Sequence, residues 1–200
     1  MNEIIKKSTS ILQVKERCIL LLDCSASMNE KVDNKKKIDI LIDAIPCLKT
    51  PYSNYALIVF NDDAKIIRYV TNKFGNIISI SQGLIAFGET RMDLGLSTSF
   101  DLFNSYYEMV YYNDSNRKRI ILLSDGCPSC SEDSIIKEVK KCKKSGITID
   151  TIAIGYNSSL LQTISEMTEG IYKESKDFDI EKVFKELKYE TRYIGYDNNH

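Results

Sequence analysis

Two short apolar runs each end in a carboxylate. Cys18-Ile19-Leu20-Leu21-Leu22 leads directly into Asp23-Cys24-Ser25-Ala26-Ser27, and far downstream Ile120-Ile121-Leu122-Leu123 leads into Ser124-Asp125-Gly126. Uninterrupted Ile and Leu at strand length is the pattern of strands buried on both faces, which points to a parallel sheet covered by helices on each side. Loops at the carboxyl ends of such strands converge on one rim, so residues far apart in sequence share a crevice. A third segment, Gly88-Glu89-Thr90-Arg91-Met92-Asp93, lies between the two runs and can supply another hydroxyl.

The rest of the chain supports this α/β reading. Short runs of Ile, Leu and Val alternate with amphipathic segments, and at 200 residues with no Pro/Gly/Ser-rich linker the chain is one domain. A strand over 17–23 precedes an amphipathic helix over 36–48, in which Ile38, Leu41, Ile42 and Ile45 share a face and Pro46 forces a kink or a stop. Strands over 55–60 and 65–70 flank the turn Asn61-Asp62-Asp63-Ala64, so one strand runs against the others. A brief helix over 76–83 and a long one over 93–112, capped by Asp93, follow. The strand over 118–124 leads to a helix over 132–144 that stops at Gly146. A strand over 147–155, apolar apart from Thr148, Asp150 and Thr151, takes a central or near-central place. Helix, strand and helix over 160–168, 170–174 and 177–187 complete the alternation.

The loop residues are suited to a hard cation. In an extended turn, alternate residues can face one centre, which places Asp23, Ser25 and Ser27 around it and turns Cys24 and Ala26 away. All donors are oxygen, a set that selects Mg²⁺, Mn²⁺ or Ca²⁺ over zinc or copper. Two carboxylates neutralise a divalent ion, and three hydroxyls add donors without adding charge. A coordination position is left for an anionic oxygen from outside, such as the Asp or Glu of a partner protein.

With these motifs in this order, the sequence resembles a von Willebrand factor type A (vWA) domain with a metal-ion-dependent adhesion site. That family carries D-x-S-x-S after its first strand, a threonine in a later loop, and an aspartate before glycine after its fourth strand. Asp23, Ser25, Ser27, Thr90 and Asp125 meet the pattern here, and the resemblance spans 17–187. It implies a doubly wound, Rossmann-like, three-layer αβα fold with a six-stranded, mostly parallel sheet and one antiparallel edge strand. It also implies direct coordination by Ser25 and Ser27, with Asp23 and Asp125 often acting through water. Thr90 would be the variable partner, engaged with an acidic ligand in step with the last helix. Cys24 and Ala26 stand where the family more often has Thr and Gly, and Glu89, replacing a small residue, would add a third carboxylate near the site. The expected divisions are an N-terminal extension over 1–16, the vWA domain over 17–190 and a polar tail over 191–200. The function implied is metal-dependent protein–protein interaction, in company that for this family includes AAA ATPases, kinases and phosphatases.

Other classes are disfavoured. A formal charge of −1 gives no electrostatic reason to bind nucleic acid. The clusters Lys35-Lys36-Lys37 and Lys140-Lys141-Cys142-Lys143-Lys144 read as solvated helix faces. No apolar stretch approaches the ~20 residues that cross a bilayer, and the first residues lack the order of a signal peptide, so a soluble, cytoplasmic protein with no membrane contact is expected. Six cysteines then read as reduced thiols. The single histidine is His200, and no phosphate-binding glycine loop occurs, so no catalytic residue is expected. Two alternatives stay open: a dithiol redox protein using Cys127 and Cys130 of Cys127-Pro128-Ser129-Cys130, and a Mg²⁺-dependent hydrolase using Asp23 and Asp125. Self-association is a third outcome, since an acidic residue of a neighbouring copy could fill the open position.

Overall fold

A computed structural model describes residues 16–50, 53–105, 117–155, 157–175 and 178–187. The order is β1 (Glu16–Asp23), a 3-10 turn (Ala26–Asn29), β2 (Lys31–Val32), β3 (Lys35–Lys36), α1 (Lys37–Ala44) and a second 3-10 turn (Ile45–Leu48). Then come β4 (Ser53–Phe60), β5 (Ala64–Thr71), α2 (Phe74–Ser81) and α3 (Met92–Phe103). The described chain continues with β6 (Arg117–Ser124), α4 (Glu132–Lys144), β7 (Ile147–Ile154), α5 (Ser159–Met167), β8 (Tyr172–Ser175) and α6 over 180–187. The six-stranded sheet has the order β5-β4-β1-β6-β7-β8, parallel except for β5, which pairs antiparallel with β4 at one edge.

Successive side chains of a strand face opposite sides, and the two cores follow that period. Leu20 and Leu22 of β1, Ile121 and Leu123 of β6, and Ile152 and Ile154 of β7 pack with α1, α2 and α6. Ile19 and Leu21, Ile120 and Leu122, and Ile149 and Ala153 pack with α3, α4 and α5. Every residue of β1 is buried, as a strand between two helical layers requires. β7 is one strand in from the β8 edge, while β1 and β6 form the centre. The two buried polar residues that interrupt β7 are partnered: Thr151 Oγ1 donates to the Leu161 carbonyl at 2.8 Å, and Asp150 pairs with Arg119.

Several expectations are refined. Pro46 stops α1 at Ala44, and the chain continues as the second 3-10 turn. Asp93 is not the cap of α3, because Arg91 occupies the cap position. Asp93 sits in the first turn and accepts two hydrogen bonds from the Arg91 guanidinium, both 3.0 Å. The β2–β3 hairpin was not foreseen, since two-residue strands carry no periodicity. Its turn, Asp33-Asn34, has φ of 48° and 65°, the left-handed pair that a two-residue hairpin needs. The long helix expected over 93–112 ends at Phe103, with Asn104 as its C-cap, and Glu16, expected in the extension, begins β1. The rest of the expected extension, the polar tail and residues 106–112 lie outside the described residues. No described helix is long and apolar enough to cross a membrane.

Candidate functional site

β1 lies between β4 and β6, so the chain leaves it toward one half of the sheet and returns on the other. A crevice opens at such a switch point, outside the carboxyl ends of the strands. Asp23 ends β1 and Asp125 follows β6 at this place.

Asp23 is wholly buried. Its Oδ1 accepts from the Ser25 backbone N–H at 2.8 Å, and its Oδ2 accepts from Ser124 Oγ at 2.6 Å. Ser25 has extended backbone, with φ −69° and ψ 167°. Ser27 reaches the same centre differently, from within the 3-10 turn, so the expected extended run over all three residues is corrected. The turn tightens the chain, and the Ser25 and Ser27 hydroxyls come within 3.0 Å of one another. Ser27 Oγ donates onward to Asp125 Oδ1 at 2.7 Å. A continuous polar path therefore joins the two carboxylates.

The Thr90 loop is laced onto this structure by backbone bonds. Phe87 N–H donates to the Cys24 carbonyl at 2.8 Å, and Ala26 N–H donates to the Gly88 carbonyl at 3.0 Å. Gly88 has φ of 76°, and a Cβ there would lie 2.3 Å from the Asp62 carboxylate, so only glycine lets the loop pass so close. Thr90 is clasped from the other side: its N–H donates to Ser129 Oγ at 3.2 Å, and its carbonyl accepts from Ser129 N–H at 3.0 Å. A Cβ built on Gly126 would stand 3.6 Å from Ser27 Oγ and 3.7 Å from Thr90 Oγ1. Both hydroxyls thus converge beside Gly126, and all five anticipated residues meet at one rim.

The electrostatics contain a group that sequence reasoning missed. Lys37, the first residue of α1, is not part of a solvated face; its side chain is only 11% exposed. Its Nζ donates to Asp125 Oδ2 at 2.7 Å and to Glu30 Oε2 at 2.6 Å. Burial pulls the ammonium toward neutrality, but the Asp125 and Glu30 carboxylates outweigh it and hold the group above the ordinary lysine range. Lys35 and Lys36 are exposed as expected, but in the short strand β3 and not on a helix face. Nothing in the run Lys35-Lys36-Lys37 singles out the third lysine except its place at a helix start. Glu30, through Lys37, is the third acid connected to the site, whereas Glu89 is exposed.

Asp23 itself has no lysine or arginine against it among the described residues. Burial pushes its carboxyl up to about 6; hydrogen bonds from Ser124 and Ser25 work against the rise, and the charge of Asp125 adds to it. Among the described residues no group of three or more His, Cys, Asp or Glu side chains is placed to hold a metal. A cation at this rim would rest on two carboxylates and the hydroxyls, and the oxygen-only donor set and the convergence beside Gly126 fit one of the hard ions.

The Cys127–Cys130 segment braces the loops. All six cysteines are free thiols, with Cys127 exposed and Cys130 half-buried. Ser129 clasps Thr90, and Ser131 caps α4 by accepting from Ser134 N–H at 3.3 Å.

A doubly wound α/β domain with polar loops from three segments gathered at its switch point is the class this architecture defines. The von Willebrand factor type A domain family matches residues 18–186, and the chain belongs to that family. Domains of this family are protein-interaction modules. No curated protein matches the sequence significantly. Among solved structures the chain is similar to the SpRpn10 VWA domain, with TM-score 0.70, 18% identity, and 82% of this chain and 94% of that chain covered. It is also similar to the vWF domain of the type V pili tip protein Mfa5 from Porphyromonas gingivalis, with TM-score 0.72, 13% identity, and coverage of 94% and 98%. A von Willebrand factor type A protein from Catenulispora acidiphila gives TM-score 0.72 and 18% identity, over 87% of this chain and 42% of that one.

Proposed function

We propose that this domain holds Mg²⁺, with Mn²⁺ or Ca²⁺ as chemical equivalents, among Asp23, Ser25, Ser27, Thr90 and Asp125, and uses the site to capture an Asp or Glu of a partner protein. The carrying observation is the placement of Asp23: a carboxylate buried without a cationic partner among the described residues, joined through two serine hydroxyls to Asp125. A buried carboxylate is stable when paired or coordinated, and here the coordinating option is the one the neighbouring oxygens can complete. When bound, the ion supplies positive charge and an electrophilic point for an outside carboxylate.

The chain's own residues set the geometry. Ser124 and the Ser25 N–H orient both oxygens of Asp23, and Ser129 positions Thr90. The loop before Thr90 carries Ile85 and Phe87, 73% and 54% exposed, and large apolar side chains in water beside a polar crevice suit a protein surface. The role is recognition and not turnover. Free thiols at all six cysteines suit a reducing compartment such as the cytoplasm.

The test is a pull-down from native lysate, with Mg²⁺ or with EDTA, comparing the wild type with Asp23→Ala. Capture of a partner only by wild type in Mg²⁺ supports the reading; capture that is equal in EDTA sinks it.

A further inference from the structure

We infer that Lys37 is a tethered cation that competes with the divalent ion for Asp125 and is received by Glu30 when that ion binds. The inference rests on the cation site proposed above and says what sets its affinity. Asp125 has one oxygen engaged by Ser27 and the other by the Lys37 ammonium. A divalent cation drawn to this carboxylate meets a positive charge already bonded to it, and two cations at such range repel strongly in a poorly solvated crevice.

Lys37 is built to let go. Its second acceptor, Glu30, is 66% exposed and lies outside the crevice. Lys37 N–H also donates to the Glu30 carbonyl at 3.0 Å, across the base of the β2–β3 hairpin, so the two residues stay neighbours whichever carboxylate holds the ammonium. Lysine suits the task, because its ammonium is a point charge on a flexible stem, while arginine would form a planar fork harder to exchange. The metal-free domain thereby keeps Asp125 neutralised. Loading the site moves one charge toward the start of α1 and the hairpin.

The experiment is calorimetric titration of the full chain with MgCl₂, repeated with MnCl₂. Variants are Lys37→Met, Glu30→Gln and the two combined, with Lys36→Met and Glu89→Gln as controls that remove the same charges from exposed positions. Lys37→Met should tighten binding roughly 10- to 100-fold, the worth of one charge-assisted hydrogen bond, and Lys36→Met should change it by less than about 3-fold. Glu30→Gln should weaken binding more than Glu89→Gln does, and should lose that effect when Met occupies position 37. Lys37→Met should also melt lower than wild type in EDTA and recover in saturating Mg²⁺. Should it fail to fold, the comparison of Glu30→Gln with Glu89→Gln, both on exposed acids, decides the matter, and equal effects overturn the inference. Unchanged affinity in Lys37→Met, or an equal gain in Lys36→Met, overturns it while leaving the cation site intact. Absence of binding in every variant removes the site and the inference together.

Discussion

Toward the amino-terminal ends of the strands, Arg119 donates to Asp150 through Nε and forms an ion pair with it, and its other terminal nitrogen lies 3.9 Å from Glu16. Arg117 stands 3.7 Å from the same glutamate, and Ser53 Oγ donates to it at 2.9 Å. Asp150 is completed by the Ile171 N–H at 2.7 Å. At the opposite rim Asp23 receives one hydroxyl and one amide, and Asp125 receives one hydroxyl and a lysine shared with Glu30. Both rims bury carboxylates, but only the first gives them a fixed guanidinium. Burial works against the Arg119 charge, yet Asp150 and Glu16 hold that group above even the usual arginine range. One network sets its acids against a guanidinium, and the other leaves Asp23 without a cationic partner among the described residues.

The largest test of this contrast is Asp150→Ala, which strands a buried guanidinium and should cost about 3–5 kcal/mol in urea unfolding. A loss below about 1 kcal/mol would mean that the amino-terminal network is not the fixed one. At the other rim, Asp23→Asn should change metal-free stability by less than about 1 kcal/mol, because it removes a buried charge that no described base balances. Wild type should gain about 2.7 kcal/mol from Mg²⁺ at a hundredfold excess over Kd, and Asp23→Asn should gain nothing, as read by thermal melting with and without EDTA.

Gly88→Ala probes whether loop geometry, in place of an ion pair, holds the carboxyl-terminal rim together. Left-handed backbone at alanine should cost about 1–2 kcal/mol, and the new Cβ should push Asp62 off the Glu89 N–H it accepts from at 2.8 Å. Weaker Mg²⁺ binding should accompany the shift in the urea midpoint. The smallest effect concerns thiols. Cys18 and Cys24 are both buried, one near each rim. In EDTA, Cys24 should react with a thiol reagent before Cys18 but well after exposed Cys127, since the loop rim opens at lower free energy than the strands. Equal protection of Cys18 and Cys24 would erase the difference between the rims.

Much of this was legible in the chain. Runs such as Cys18–Leu22 and Ile120–Leu123 can be soluble only when covered on both faces, so the layered α/β fold followed from them, and the turn after Phe60 announced the antiparallel strand. Asp23, Ser25, Ser27, Thr90 and Asp125 were recognisable because each follows a strand or sits in a loop at a defined spacing. Lys37, Glu30, Ser124 and Ser129 were not. Each is an ordinary polar residue whose importance depends on a partner distant in sequence or on a turn too short to show a period.

Local pattern thus determined which segments become strands and helices, and it brought the five oxygen-bearing residues to a common rim, because parallel strands place all their carboxyl ends together. Tertiary structure alone decided how charge is balanced there. Whether a lysine beside two others is solvated or buried against Asp125 depends on the direction in which α1 leaves the hairpin and on the dielectric around it, and neither is written in the spacing of the residues.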